Sequence, residues 1–143
     1  MQPRYSGHVK DYLAGGDRKK RIVEKYGEIS TWDTSKVTNM EFMFDGASSF
    51  NQPLNNWDVS NVMYMAQMFL RAESFNQPLN NWNVSNVEDM EGMFDGAQSF
   101  NQPLNNWNVS NVNFMDSMFS EASSFNQCRR QFRGSIEGNY SDL

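Results

Sequence analysis

Few side chains in this chain could do covalent chemistry. His8 is the only histidine among the 143 residues, so neither a Ser-His-Asp relay nor a histidine-rich metal site can be assembled. Gly15-Gly16 lacks the further glycines and the lysine of a phosphate-cradling loop and reads as a turn. Acids near Asp45-Gly46 and Asp95-Gly96 could hold calcium weakly, but no stretch has the Asp-x-Asx-x-Asx-Gly spacing of a calcium loop. Cys128 is the single cysteine, so it closes no internal disulfide and gives no sign of an oxidising compartment. Asn83-Val84-Ser85, Asn108-Val109-Ser110 and Asn139-Tyr140-Ser141 fit the N-glycosylation pattern, which a chain rich in Asn and Ser also produces by chance. No catalytic set, metal site or cofactor site emerges, and the expectation is a protein that is not an enzyme.

What the sequence offers instead is repetition of aromatic, amide and thioether side chains at fixed intervals. The stretch Phe50-Asn51-Gln52-Pro53-Leu54-Asn55-Asn56-Trp57 returns unchanged as Phe75 to Trp82 and as Phe100 to Trp107, with an incomplete copy at Phe125-Asn126-Gln127. The four tryptophans, 32, 57, 82 and 107, are one position of one unit. A period in this range marks an array in which each unit buries its apolar face against its neighbours. Asn51, Asn76, Asn101 and Asn126 hold one place in every copy, as do Asn55 and Asn56 with their equivalents. Such a fixed amide suggests a structural ladder to the turn backbone and the next copy. The alternative is a flat amide array for a glycan or an ordered water layer.

The elements expected to position these residues follow from spacing. Val62, Met65, Met68, Phe69 and Ala72 fall on one helical stripe, repeated at Val37 to Ala47, Val87 to Ala97 and Val112 to Ala122. Ser85 and Glu88 have the spacing of a capping box. The Pro-containing segment that follows cannot continue a helix, and Leu79 and Trp82 would anchor a short extended piece. The expectation is therefore an α/β solenoid, a leucine-rich-repeat-like coil of about four 25-residue repeats, each a short strand plus a short helix. Residues 1–28 read as a helical N-terminal cap, with Val9, Tyr12 and Leu13 on one helix and a second from Arg18 to Tyr26, Asp17 as its N-cap and Gly27 as its stop. The run Arg18-Lys19-Lys20-Arg21 reads as the solvated face of that helix rather than a nucleic-acid patch. Residues 29–127 form the repeat array, and residues 128–143 are a C-terminal cap or tail: either Phe132, Ile136 and Tyr140 fold back over the last coil or the tail is disordered, and a partial cap as far as about Ile136 is the expectation.

Charge narrows the partner. The chain carries a formal net charge of −5. Residues 1–28 hold seven Lys or Arg against four acids, while Trp32 to Gln127 holds only Lys36 and Arg71 against eleven acids. No basic stripe runs along the repeats, which argues against nucleic acid. No apolar run approaches the ~18–20 residues of a membrane span. The start, Met1-Gln2-Pro3-Arg4-Tyr5, lacks the apolar stretch of a signal peptide, which leaves the compartment open.

The pattern Trp-[Asp or Asn]-[Val or Thr]-Ser-x-Val-x-x-Met-x-x-Met-Phe-x-x-Ala-x-Ser-Phe-Asn-Gln-Pro-Leu, as in Trp57 to Leu79, resembles the bacterial surface protein 26-residue repeat family, met in mycoplasma-type lipoproteins and akin to the BspA-like leucine-rich repeats. The resemblance covers roughly Ile29 to Gln127. It implies a right-handed leucine-rich-repeat-like coil, often surface-displayed, that mediates protein contacts or adhesion and has no catalytic residues. The secreted members' lipid-attachment cysteine is absent near the start of this chain. The function expected is a non-enzymatic protein-interaction or structural module, with carbohydrate binding through the repeated Asn positions as the second reading. Specificity should lie where the copies differ, because identical positions distinguish partners only by repetition. Phe42, Tyr64, Leu70, Arg71 and Phe114, apolar or basic residues on an otherwise acidic variable face, are the candidate protein contacts.

Overall fold

The computed structural model describes residues 5–132. Two helices open it: α1, Tyr5–Ala14, and α2, Gly16–Tyr26. They are separated by Gly15 and clipped together by the Arg18–Asp11 ion pair (2.6 Å). The second helix starts earlier than Asp17 would set it, because Gly15 is its N-cap and no side chain caps it. Gly27, at φ 82°, ends it by donating its N–H to the Val23 carbonyl, a backbone that glycine adopts without penalty.

From Trp32 onward the chain forms neither the strand nor the helix expected in each repeat. Among the described residues the only α-helices are α1 and α2, and no strand is present; the two other helical pieces are single 3-10 turns at Ile29–Thr31 and Arg130–Phe132. The α/β solenoid and its leucine-rich-repeat geometry are therefore overturned. Each repeat is a coil of successive β-turns. In the second coil, Met68 N–H bonds to Met65 O (3.2 Å), Ala72 to Phe69 (3.0 Å), Phe75 to Ala72 (3.3 Å), Trp82 to Leu79 (3.0 Å) and Val62 to Val59 (3.0 Å). Each of these closes over three residues. Turn ends therefore recur at i and i+3, and they are the buried apolar positions, so a chain of turns imitates the apolar period of a helix. The capping-box spacing of Ser85 and Glu88 caps nothing; Ser85 N–H and Oγ both bond to Asn83 Oδ1 in an Asx turn.

Two turns in every coil place a left-handed residue third. These are Phe42, Gln67, Gly92 and Ser117 in the first turn, and Gly46, Arg71, Gly96 and Glu121 in the second. That is the requirement of a type II turn. It rotates the third residue's N–H out of the turn and toward the neighbouring coil. Phe42 N–H reaches Ala66 O (3.1 Å) and Gly46 reaches Leu70 (2.7 Å); Gln67 reaches Glu91 (2.8 Å) and Arg71 reaches Asp95 (2.8 Å); Gly92 reaches Asp116 (2.9 Å) and Gly96 reaches Ser120 (2.8 Å). Met40, Phe44, Met65, Phe69, Met90 and Phe94 donate in the same direction, and the coils also touch as parallel bridges at Asn39, Tyr64, Asp89 and Phe114.

The stacked coils enclose two columns of phenylalanine. Phe44, Phe69, Phe94 and Phe119 follow one another at 5.4, 5.5 and 5.8 Å. Phe50, Phe75, Phe100 and Phe125 follow at 5.9, 6.0 and 5.9 Å. Within each coil the two rings stack face to face, Phe69 on Phe75 at 4.3 Å, for example. Each ring buried this way contributes ~1.5–3 kcal/mol. The tryptophans tie each coil to the one before: Nε1 of Trp57, Trp82 and Trp107 donates to the carbonyls of Ile29, Leu54 and Leu79 at 2.7–2.9 Å.

The two ends are closed differently. Trp32 donates to Gly27 O (2.9 Å) and packs against Tyr5 and Tyr12 of α1. Tyr12 hydroxyl donates to Glu28 (2.8 Å), and burial, with that carboxylate beside it, holds the phenol well above its ordinary pKa. At the far end Phe132, fully buried, sits one period beyond Trp107 and packs edge-on against Phe119. A phenyl ring cannot make the tryptophan's hydrogen bond, and Gln131 Nε2 makes it instead, to Leu104 O at 2.8 Å. Arg129 replaces the repeat's leucine, buried with its guanidinium over the faces of Phe119 and Phe125, both at 5.0 Å. Ile136 and Tyr140 lie outside the described residues.

Met68 is fully buried, so Met68→Asp places a charge between stacked coils at a cost of several kcal/mol, against a total stability of ~5–15 kcal/mol. Circular dichroism should find this variant unfolded, and an unchanged melting curve would remove Met68 from the core. Gly96, at φ 72°, faces Arg71 so closely that a β-carbon would lie 3.1 Å from its Cγ. Gly96→Ala should cost ~1–2 kcal/mol through the left-handed backbone, read as a lower midpoint in urea; a midpoint equal to that of the parent would contradict the turn assignment.

Candidate binding face and amide ladders

The constant amides are occupied by structure. Asn51 Oδ1 accepts the N–H of Asn76 (2.9 Å) and Nε2 of Gln77 (3.0 Å). Asn76 Oδ1 receives the same pair from Asn101 and Gln102 (3.0 and 3.0 Å), and Asn101 Oδ1 from Asn126 and Gln127 (3.1 and 3.1 Å). Each carbonyl oxygen thus takes two bonds from the following coil, which fills its acceptor capacity. A second amide ladder runs through Asn80, whose Oδ1 accepts Asn106 N–H (2.9 Å) and whose Nδ2 reaches Asn105 Oδ1 (3.3 Å). Amide oxygens spent this way hold coils in register and are not open to a sugar hydroxyl.

A third row is different. Asn61, Asn86 and Asn111 each donate one Nδ2 hydrogen to a carbonyl of the preceding coil, Ser35, Ser60 and Ser85, all at 2.7 Å. Each keeps a second amide hydrogen and an oxygen. These residues, with Lys36, Met63 and Glu88, line a groove of about 830 Å³ that crosses all four coils. At its Lys36–Thr38 end it meets a cleft of about 550 Å³ between α1 and the first coil, lined by Tyr5, Asp33, Glu41 and Phe42 among others.

Beside the groove runs the column Asn39, Tyr64, Asp89 and Phe114, one residue per coil, joined by parallel bridges. In the first and third coils this position is an Asx cap: Asn39 Oδ1 accepts Glu41 N–H (2.8 Å) and Asp89 Oδ1 accepts Glu91 N–H (2.9 Å). In the second and fourth coils it is an aromatic ring, and that local bond, worth ~1 kcal/mol, is given up. Tyr64 is 37% exposed and Phe114 55% exposed.

The five sequence candidates are only partly brought together. Tyr64 and Phe114 share the column. Phe42, 51% exposed, borders the adjoining cleft instead. Leu70 and Arg71 line neither depression. Leu70 is half-buried with its carbonyl bonded to Gly46, and Arg71 is exposed at a left-handed turn position. Sequence reasoning passed over Asp89, Glu88 and the Asn61, Asn86, Asn111 row. The signal for the row was the invariant Asn before Val62, Val87 and Val112; the signal for Asp89 was its place midway between Tyr64 and Phe114.

Among the described residues no group of His, Cys, Asp and Glu is arranged to hold a metal ion, and no helix is long and apolar enough to cross a membrane. Burial pushes the Asp95 carboxyl up, against the opposing pull of Arg71 and with the nearby Glu121 adding to it, while bonds from Ser60 draw Asp58 down. Asp95 belongs to the turn column next to Arg71, and Asp58 caps a turn through its bonds to Ser60, so both shifts attend local structure rather than a reactive cluster.

No curated protein and no solved structure matches the chain. A family match spans residues 18–132, from the start of α2 to the phenylalanine that closes the last coil. Surface repeat proteins fit that match, whereas a leucine-rich-repeat relationship does not follow from it. With the match covering the repeated coils and most of the described chain, the protein belongs to the family described as Mycoplasma protein of unknown function, DUF285.

Proposed function

We propose that this chain is a non-enzymatic protein-interaction module, of the kind displayed on a surface or built into a larger assembly. The observation that carries the reading is the column in which Tyr64 and Phe114 stand exposed where Asn39 and Asp89 cap their own turns. Two coils forgo a local hydrogen bond to present an aromatic ring. Exposed aromatic side chains are the residue class that dominates binding energy at interfaces. Phe42 extends the apolar surface toward the cap, and Arg71 with the half-buried Leu70 adds a separate contact on the neighbouring turn column. The glycan reading is weaker because the Asn51, Asn76 and Asn101 oxygens are filled by the next coil.

Panning a displayed peptide library against the purified protein, with a glycan array in parallel, tests this. Selected peptides should lose at least tenfold in affinity, about 1.4 kcal/mol, when Tyr64, Leu70, Arg71 and Phe114 are replaced by Ser. The three exposed changes should each move stability by no more than ~0.5 kcal/mol, while Leu70, half-buried, accounts for most of any change in melting. Asn76→Ala should do the reverse, lowering the melting temperature through the loss of two hydrogen bonds of ~1 kcal/mol each and sparing affinity. Glycan binding abolished by Asn76→Ala and Asn101→Ala in proteins that melt normally would replace the protein-interaction reading with the carbohydrate one.

A further inference from the structure

We propose that the partner segment is a basic, proline-rich stretch held as a polyproline II helix along the groove, with residues three apart seated on Tyr64 and Phe114 and a cation between them facing Asp89 and Glu88. The proposal rests on the protein-interaction reading above and names the chemistry of the ligand.

Spacing is the first argument. Neighbouring coils are joined by backbone hydrogen bonds of 2.8–2.9 Å at this column, Met65 to Asp89 and Met90 to Phe114, which sets them apart by the ordinary inter-strand distance of ~4.8 Å. Tyr64 and Phe114 are two coils apart, so their Cα atoms stand ~9.6 Å from one another along the stack. A polyproline II helix has three residues per turn and rises ~3.1 Å per residue, so residues i and i+3 lie on one edge ~9.3 Å apart. An extended strand shows one face every second residue, ~6.7 Å, and misses the second ring. An amphipathic helix whose i and i+7 residues bridged the two rings would lay its intervening i+3 or i+4 apolar residue on Asp89.

Charge is the second argument. The column is aromatic, acid, aromatic in the order Tyr64, Asp89, Phe114. Glu88 lines the groove beside Asp89, and Glu41 and Glu91 lie two residues beyond the column in their coils. Asp89 spends Oδ1 on Glu91 N–H (2.9 Å), and Oδ2 is left for a guanidinium or ammonium. With two basic residues against eleven acids from Trp32 to Gln127, the face complements a cationic chain. The third argument is hydrogen bonding. The backbone carbonyls of a polyproline II helix have no internal partner. The second amide hydrogens of Asn61, Asn86 and Asn111 are donors placed once per coil along the same groove.

The test uses the full chain and fluorescence anisotropy with a labelled peptide of four Pro-Arg-Pro repeats. Its controls are the Pro-Glu-Pro counterpart, a Gly-Arg-Ser counterpart and a labelled β-1,4-glucan oligosaccharide. The Pro-Arg-Pro peptide should bind, with affinity falling as salt rises, and Tyr64→Ser and Phe114→Ser should each weaken it at least tenfold. Asp89→Asn keeps the turn cap, since Asn39 serves that role in the first coil, and should flatten the salt dependence. Absence of binding, equal binding of the Pro-Glu-Pro or Gly-Arg-Ser peptide, or indifference to all three substitutions overturns the proposal. Library peptides without proline or basic residues that still need Tyr64 and Phe114 would overturn it while leaving the protein-interaction reading standing. Oligosaccharide binding with the same dependence would overturn both.

Discussion

Everything in the repeated part of this protein depends on where its backbone N–H groups are sent. In a helix each N–H is consumed within its own segment. Here the left-handed third residue of each type II turn points its N–H across to the next coil, and the bonds so made, such as Gln67 to Glu91 and Arg71 to Asp95, are what stack the coils. The phenylalanine columns could not form without that stacking, because beyond its partner within the coil each ring is covered by the rings one coil above and below. Side-chain ladders then reinforce the register: tryptophan indoles bond backward to Leu54 and Leu79, and Asn51, Asn76 and Asn101 bond forward. The structure amounts to a hydrogen-bonded stack without regular strands, stabilised by aromatic burial between neighbouring units.

The repeat unit, its period and most buried positions were legible in the sequence, since Val62, Met65, Met68, Phe69 and Ala72 recur and are all buried. The two opening helices were legible too, from Val9, Tyr12 and Leu13 and from Ile22, Val23 and Tyr26. The local structure of the coils was not, because turns that close over three residues place their apolar ends at the same spacing as a helical face. Glycine held the missing clue. Gly46 and Gly96 share one left-handed column and Gly92 belongs to the other, but Phe42, Gln67, Arg71, Ser117 and Glu121 occupy the remaining places and disguise the requirement. Phe132 was expected to fold back over the last coil, and it is buried there; what Cys128 and Arg129 disguised, by breaking the pattern just before it, is that it falls on the tryptophan position.

The candidate face was legible in part. Tyr64 and Phe114 differ between copies and are exposed, as variable positions should be, yet their alignment with Asn39 and Asp89 needs the pairing of coils to be seen. Leu70 and Arg71 looked equivalent to them in the sequence because a helical surface would have placed all four together. On a chain of turns they belong to a different column, and the acid between the two aromatic rings gains meaning that periodicity alone did not give it.

The constant offsets of the inter-coil bonds have a bearing on how such a protein changes size. A backbone donor meets its acceptor 24 residues later, a constant Asn meets its backbone donor 25 residues later, and an indole meets its acceptor 28 residues earlier. Because every partner lies in an adjacent coil, duplicating or deleting one whole coil preserves all of these pairings. Length is therefore free to drift in steps of one unit, through recombination between near-identical segments, without cost to the fold. The aromatic column is not indifferent to such steps: one extra coil between Tyr64 and Phe114 would widen their separation by half and retune the face to a ligand of a different period.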